Sequence, residues 1–299
     1  MIANLFYFFV SKEDEKSNIK ILKNKIVRKM GSYLIPILYR MFPLKKKKIN
    51  NSAIVTLTTY GVRAEGVWIT IESLMRQKKY NCQVILWLSE DEFSKTHLPK
   101  NIKKLQKCGL KVEFCKDIKS YKKIYYCAKQ YMDRDLITVD DDCIYSSDFL
   151  QQLLDESKKY SNTVCCYRAN KMEIKNGSIL PYAKWENADK YSLIPRKDLV
   201  ATGCGGVLYP KGFFREEDLV DLEFYKVAPF TDDLWLKILE IKNDYKVCQI
   251  VKNYVGWIAV KGTKETALYN KNVGENKNDF YLRKLIEFYK IDMEKYLES

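Results

Sequence analysis

Three consecutive carboxylates, Asp140-Asp141-Asp142, follow the apolar run Leu136-Ile137-Thr138-Val139. At the mouth of a buried strand such groups repel one another strongly unless a cation joins them. Side chains that alternate along an extended chain put Asp140 and Asp142 on one side and Asp141 on the other. Two carboxylates so placed suit Mg2+ or Mn2+, hard ions that keep water and take phosphate oxygens as further ligands. A second acidic pair, Asp232-Asp233, opens the amphipathic stretch that runs on through Ile238, Leu239 and Ile241. Thr231 or Asp232 can cap that helix, whose dipole favours acidic groups at its start. Capping uses one carboxylate and leaves the other to face a cleft as a general base. Between the two clusters lies Thr202-Gly203-Cys204-Gly205-Gly206-Val207. Its glycines allow the backbone to come close to a bulky ligand, and a tight turn entering a strand would use them equally well.

These residues need a scaffold, and the chain's rhythm describes one. Short apolar runs at 53–59, 83–89, 111–115 and 136–140 alternate with helical stretches at 67–77, 101–108 and 121–131. The alternation predicts βαβ units and a mostly parallel sheet covered by helices on both faces. Ligands of such sheets bind beyond the carboxyl ends of the strands, so the loops after Thr59, Ser89, Cys115 and Asp140 are where a site belongs. No GxGxxG follows the first strand and no GxxxxGKS/T occurs anywhere, which removes the main support for a dinucleotide fold or a P-loop. His97 is the single histidine, so mechanisms that need two are excluded; beside Leu98-Pro99 it reads as a surface residue.

With 46% apolar and 30% charged residues in a chain of 299, a large core is within reach and wholesale disorder is excluded. The net charge is +14, and residues 1–50 carry +9 of it, from twelve Lys/Arg and three acidic residues. From Ile19 to Leu44 apolar residues recur at steps of three and four among Lys20, Lys23, Lys25, Arg28, Lys29 and Arg40, and Lys45 to Lys48 close the segment. The pattern predicts a helix that Pro36 kinks or breaks. Such a helix either lies in an anionic membrane surface or packs on the main domain with its lysine run in solvent. No recognition helix or aromatic-and-basic strand accompanies the charge, so no nucleic acid partner is expected. No run of about 18 uncharged apolar residues exists to span a bilayer. Met1 to Val10 lacks the basic start and cleavage site of a secretory signal, and nine cysteines without CxxC spacing fit reduced thiols. A cytoplasmic protein, peripheral on the inner face of the plasma membrane, is the expectation.

Taken in order, these pieces resemble nucleotide-sugar glycosyltransferases of the GT-A fold, most of all bacterial family-2-like enzymes of surface polysaccharide synthesis. The matching residues are Val55-Thr56-Leu57-Thr58-Thr59-Tyr60 with Arg63, Lys119-Ser120-Tyr121-Lys122-Lys123, Val139-Asp140-Asp141-Asp142, Thr202-Gly203-Cys204-Gly205-Gly206-Val207 and Asp232-Asp233-Leu234-Trp235, across roughly residues 53–240. The resemblance implies a Rossmann-like α/β fold and a metal-dependent, inverting transfer from a UDP-sugar to a glycan or lipid-linked acceptor, with Mn2+ or Mg2+ as cofactor. It implies that Thr59, Tyr60 and Arg63 contact nucleobase and ribose, that Lys123 with Lys122 lies near the nucleotide, and that Asp140 and Asp141 belong to the donor site. Asp142, with Asp140, would ligate the ion. Asp233 would deprotonate the acceptor, with Asp232 as the second choice, and Gly205 and Gly206 would line the donor–acceptor junction. The late histidine that many such enzymes use as a metal ligand is missing after His97; Asn278, Asp279 or water would replace it.

The remainder of the chain is less specific. Residues 1–50 form the basic segment, 51–255 the catalytic domain and 256–299 a loop and helix. Tyr254–Ile258 reads as a last strand or an extended segment, the polar loop from Gly262 to Asn278 as a lid over donor or a plain connector, and Phe280–Tyr296 as a helix. Tyr182 and Trp185 would stack on an acceptor sugar or fill the core. Two other functions use the same features: a sugar nucleotidyltransferase, and a non-catalytic protein that binds nucleotide sugars or glycans.

Overall fold

The computed structural model of the protein describes residues 2–10, 18–175, 178–252, 254–262, 277–293 and 296. Its seven-stranded sheet consists of β1 (Ile54–Thr58), β2 (Gln83–Ser89), β3 (Lys111–Cys115), β4 (Leu136–Thr138), β5 (Thr163–Cys166), β6 (Val207–Tyr209) and β7 (Lys246–Gln249). The spatial order is β7-β5-β6-β4-β1-β2-β3. All neighbours pair in parallel except β6, which runs antiparallel to both β4 and β5. The mostly parallel α/β architecture expected from the alternating sequence is present.

The helices are α1 (Ile2–Phe9), α2 (Asn18–Met41), α3 (Val67–Met75), α4 (Lys100–Lys107), α5 (Lys122–Tyr131), α6 (Phe149–Ser157), α7 (Glu223–Val227), α8 (Asp232–Lys242) and α9 (Lys277–Tyr289). Strand alternation divides the core between the two faces of the sheet. Val55, Leu57, Leu86 and Leu88 pack with α3, α4 and α6, and with Ile35 and Tyr39 of α2. Ile54, Ile85 and Trp87 face the other way, into the layer of α5, α7, α8 and α9.

Three expectations are refined. Pro36 neither breaks nor ends α2, which runs through it to Met41. Within 254–258 only Ile258 joins a strand: Ile258–Ala259 pairs antiparallel with Cys143–Ile144, directly after the acidic cluster. The C-terminal helix starts at Lys277 and ends at Tyr289, ahead of Lys290 with its positive φ of 51°. Residues 263–276 of the expected lid lie outside the described residues.

The N-terminal helices join the body through one side each. Tyr7 of α1 donates its hydroxyl to the Ile144 carbonyl and accepts from the Ile258 N–H at 2.7 Å. Helix α2 buries Asn24, Gly31, Ile35 and Tyr39, four residues on one stripe. Gly31 is where α2 meets Ile258, since a Cβ there would stand 2.9 Å from the Ile258 Cδ1. Ile35 is fully buried, so Ile35→Ala is expected to cost about 2–5 kcal/mol in urea unfolding. A loss well under about 1 kcal/mol would mean that α2 is not part of the folded unit.

Candidate active site

Strand direction brings the separated motifs together. The carboxyl ends of β1 and β4 deliver Thr59 and Asp140 to one edge of the sheet. Because β6 runs antiparallel, with Val207 opposite Thr138, the glycine loop that precedes it arrives at that same edge. Helix α8 leads back toward the start of β7, so its first turn, Asp232 and Asp233, also lies there. Tyr121 ties the entry of α5 to that turn, its hydroxyl donating to the carbonyls of Ala228 and Thr231. Trp235, stacked on Phe224 at 4.2 Å, seats α8 on its layer.

Lys123 is the centre of the first charge cluster. Its Nζ lies 3.0 Å from Asp140 Oδ1 and 3.2 Å from Asp232 Oδ2. Asp233 Oδ2 accepts the Gly203 N–H at 3.2 Å. A Cβ on Gly203 would stand 3.1 Å from Lys123 Nζ, 3.2 Å from Asp233 Oδ1 and 3.6 Å from Asp140 Oδ1, so residues from four segments surround one point. Burial alone would lower the Lys123 pKa, yet Asp140, Asp232 and Asp233 outweigh it and hold the ammonium charged. Burial and then the neighbouring Asp232 push the Asp233 carboxyl up to about 7, against the pull of Lys123 and the Gly203 N–H. The capping expectation needs correction here. Thr231 holds the N-cap position without a side-chain cap bond, and Asp232 is already helical, so capping consumes neither carboxylate.

Arg63 is the centre of the second cluster. It pairs with Asp141 through both Nε and Nη2 and reaches Asp142 Oδ2 at 2.9 Å. Thr59 donates to Asp141 Oδ2 at 2.6 Å, and Thr70 donates to the Asp141 carbonyl at 2.9 Å. Asp141, Thr59 and Arg63 are all buried, so they hold the acidic turn in place. Strand β4 ends at Thr138 and the chain turns at Asp141, yet Asp141 still points away from the Lys123 cluster that receives Asp140. Tyr60 stands over Arg63, its ring 5.5 Å from the guanidinium carbon.

Asp140 and Asp142 fit a hard divalent ion by the chemistry of their donors. Both carboxylates are partly exposed, at 30% and 28% of their side-chain surface. Burial and the Asp140 charge together raise the Asp142 carboxyl above its ordinary range, although Arg63 pulls it down. That repulsion is what a cation would relieve. Among the described residues no group of three or more His, Cys, Asp or Glu is assembled for a metal, so substrate and water would complete the shell.

Other expected residues fall in different places. Lys122 is buried and paired with Asp117, away from the Lys123 cluster. Gly205 packs on the Arg168 backbone, where a Cβ would meet the nitrogen at 3.0 Å. Gly206, at φ 92°, lies against the Phe149 ring, which a Cβ would strike at 2.6 Å. The Tyr182 and Trp185 rings pack against each other at a tilt of 42°, with centroids 4.7 Å apart. Burial and then the Asp233 charge raise the Tyr182 hydroxyl, which also accepts from Asn170 at 3.1 Å. Asp279 accepts the Tyr182 N–H at 2.7 Å. His97 is exposed and bonded to Ser94 and Thr96.

Two neighbours of the site carry no short-range signal in the sequence. Arg168 directs Nη1 at Cys204 Sγ, 3.2 Å away on the glycine loop. Trp257 donates its indole N–H to the Gly205 carbonyl at 3.0 Å. Only the tertiary fold brings them to the loop.

No family model matches the chain, and no curated protein matches it. Solved structures similar to it include the mannosyltransferase PcManGT from Pyrobaculum calidifontis in complex with GDP-Man and Mn2+. That match has 10% identity and a TM-score of 0.46 over 89% of this chain and 75% of that one. S. aureus TarS 1-349 is similar at 15% identity and a TM-score of 0.42, over 68% of this chain and 59% of that chain. A cytidylyltransferase from Leptospira borgpetersenii serovar Hardjo-bovis has 12% identity and a TM-score of 0.43, over 81% and 94%. At these values the likeness is one of outline alone.

The raised Asp233 pKa has a consequence for stability. Between the ordinary carboxylate value of 3.8 and about 7, the folded chain holds a proton that the unfolded chain releases, so stability falls as pH rises across that window. Asp233→Asn removes this contribution. Thermal and urea unfolding are expected to find the variant more stable than the parent at pH 8, by on the order of 2 kcal/mol, with a smaller gain at pH 5.

Proposed function

We propose that the protein is a metal-dependent, inverting glycosyltransferase. In this reading it moves a sugar from a nucleoside diphosphate sugar, UDP in the first instance, to a hydroxyl of a glycan or lipid-linked saccharide, in the building of a surface polysaccharide. The observation that carries the proposal is the convergence of Asp140, Lys123 and Asp233 on the backbone of Gly203. A cation and a carboxylate of raised pKa flank one backbone turn, with partly exposed acids beside them. Transfer of a sugar between oxygens can use such a set, the carboxylate as base and the cation against the charge of the leaving group.

Each residue then has a role. Asp233 takes the proton of the acceptor hydroxyl as that oxygen bonds to the anomeric carbon. The bond from that carbon to the diphosphate oxygen breaks, and its electron pair leaves with the diphosphate. Attack from the side opposite the leaving group inverts the centre. Lys123, kept charged by its acidic neighbours, faces the leaving group's negative charge. A divalent ion held by Asp140 and Asp142, when bound, supplies further stabilisation of that charge. Arg63 and Thr59 act on Asp141 and keep the acidic turn in position.

The test is release of UDP from UDP-sugars in the presence of Mn2+. Asp142→Ala is expected to abolish the Mn2+ dependence together with most of the turnover; undiminished turnover would defeat the metal assignment. Asp233→Asn should lower turnover by about 10^2–10^4-fold. Since Asp233 accepts the proton only when ionised, the rate of the parent should rise with pH through about 7. Lys123→Met, which removes the cation that favours the ionised form, should shift that rise to higher pH. Pyrophosphate release from a nucleoside triphosphate would indicate nucleotidyl transfer instead, and failure to bind any nucleotide in calorimetry would indicate a non-catalytic glycan binder.

A further inference from the structure

Helix α2 has two apolar stripes, and the fold uses one. The buried stripe is Asn24, Gly31, Ile35 and Tyr39. The other is Ile19, Leu22, Ile26, Met30, Tyr33, Ile37 and Met41, and each of these side chains is 45–80% exposed. Their steps of 3, 4, 4, 3, 4 and 4 confine them to an arc of about 100° on the side of the helix away from the protein. An amphipathic helix of a globular protein turns its apolar stripe inward, so seven exposed apolar residues in a row call for a partner. Helix α1 adds Leu5, Phe8 and Phe9, spaced three and four apart and exposed, Phe8 by 84%.

Charge identifies the partner. Lys23, Lys25 and Lys29 border the stripe and are exposed, and Lys45 to Lys48 follow the helix. From Asn18 to Lys48 there are ten Lys/Arg and no Asp or Glu. A two-fold pairing of this face with a second copy would set like charges against like. An anionic lipid surface offers apolar tails to the stripe and opposite charge to its borders. Helix α2 is about 36 Å long, and among the described residues no helix is long and apolar enough to cross a bilayer. It therefore suits a position along the interface. We propose that the outward faces of α1 and α2 form a docking surface for an anionic lipid bilayer. The surface connects directly to the candidate site: the Tyr7 ring of α1 meets Trp257 edge-on at 5.7 Å, and Trp257 holds the carbonyl of Gly205. The inference rests on the exposed face and its charge, independently of which reaction the site performs.

The test is sedimentation of the full chain with phosphatidylcholine vesicles, with and without phosphatidylglycerol. The protein is expected to pellet with the mixed vesicles, to stay in solution with phosphatidylcholine alone, and to be released by salt. Two triple variants separate the components: Lys23→Glu, Lys25→Glu, Lys29→Glu, and Ile26→Ser, Met30→Ser, Ile37→Ser. Each should weaken partitioning by about tenfold or more while leaving the thermal unfolding curve in place, because these side chains are exposed. The proposal is overturned if the parent ignores the mixed vesicles, if the variants bind them as well as the parent does, or if the parent is a dimer that the serine variant dissociates and lipid does not affect.

Discussion

Five carboxylates at one edge of a sheet share two cations, and the rest of the site depends on how the two are shared. Lys123 faces Asp140 and Asp232, while Arg63 holds Asp141 and touches Asp142. Without these partners, buried acids would ionise at large cost or stay protonated. Arg63 and Thr59 lock Asp141 into the wall; burial and Asp140 raise Asp142 against the pull of Arg63, and burial and Asp232 raise Asp233 to about 7 against the pull of Lys123. The geometry and the chemistry share one electrostatic cause.

The scaffold holds this arrangement through a few placements that single substitutions would disturb. Glycine is required at 206, where φ is 92° and the Phe149 ring fills the space a side chain would need. At 203 the absence of a side chain lets Lys123 and Asp233 close in, since a Cβ would stand 3.1 and 3.2 Å from their polar atoms. Deeper in α8 a second charge pair, Lys237 and Glu240, is buried at 3.1 Å. Lys237 also donates to the carbonyls of Lys197 and Leu199, so the helix that carries Asp233 is fastened well below its first turn. The attraction within a buried pair of this kind is largely offset by the cost of desolvating both charges.

The N-terminal segment shows why one periodicity can carry two meanings. Steps of three and four in Ile19 to Met41 predict an amphipathic helix, and the helix exists. The pattern is silent on which stripe the protein covers. Gly31 and Asn24 lie on the buried side, Gly31 where Ile258 approaches closely. Ile35 and Tyr39 share that buried side, while Ile19, Leu22, Ile26, Met30, Tyr33, Ile37 and Met41 remain outside. The two readings of this segment, packing and an outward apolar surface, describe opposite sides of one helix.

Much of the fold was legible in the chain. Strands β2 and β3 lie where their apolar runs predict, and α3 to α5 begin within a residue of their expected starts, because local periodicity is enforced by burial on two faces of the sheet. The candidate site was legible as residue types: two acidic clusters, a glycine loop and the Lys122-Lys123 pair, all at the ends of elements. Only the tertiary structure decided which of them meet. An antiparallel β6 cannot be read from a short apolar run, yet it alone turns Gly203 toward Asp140. Of two adjacent lysines it is Lys123 that joins the site, since the turn of α5 carries Lys122 to Asp117. Sequence determined which groups are present and which local structures they favour; long-range pairing decided their distances, and charge interactions depend on distance.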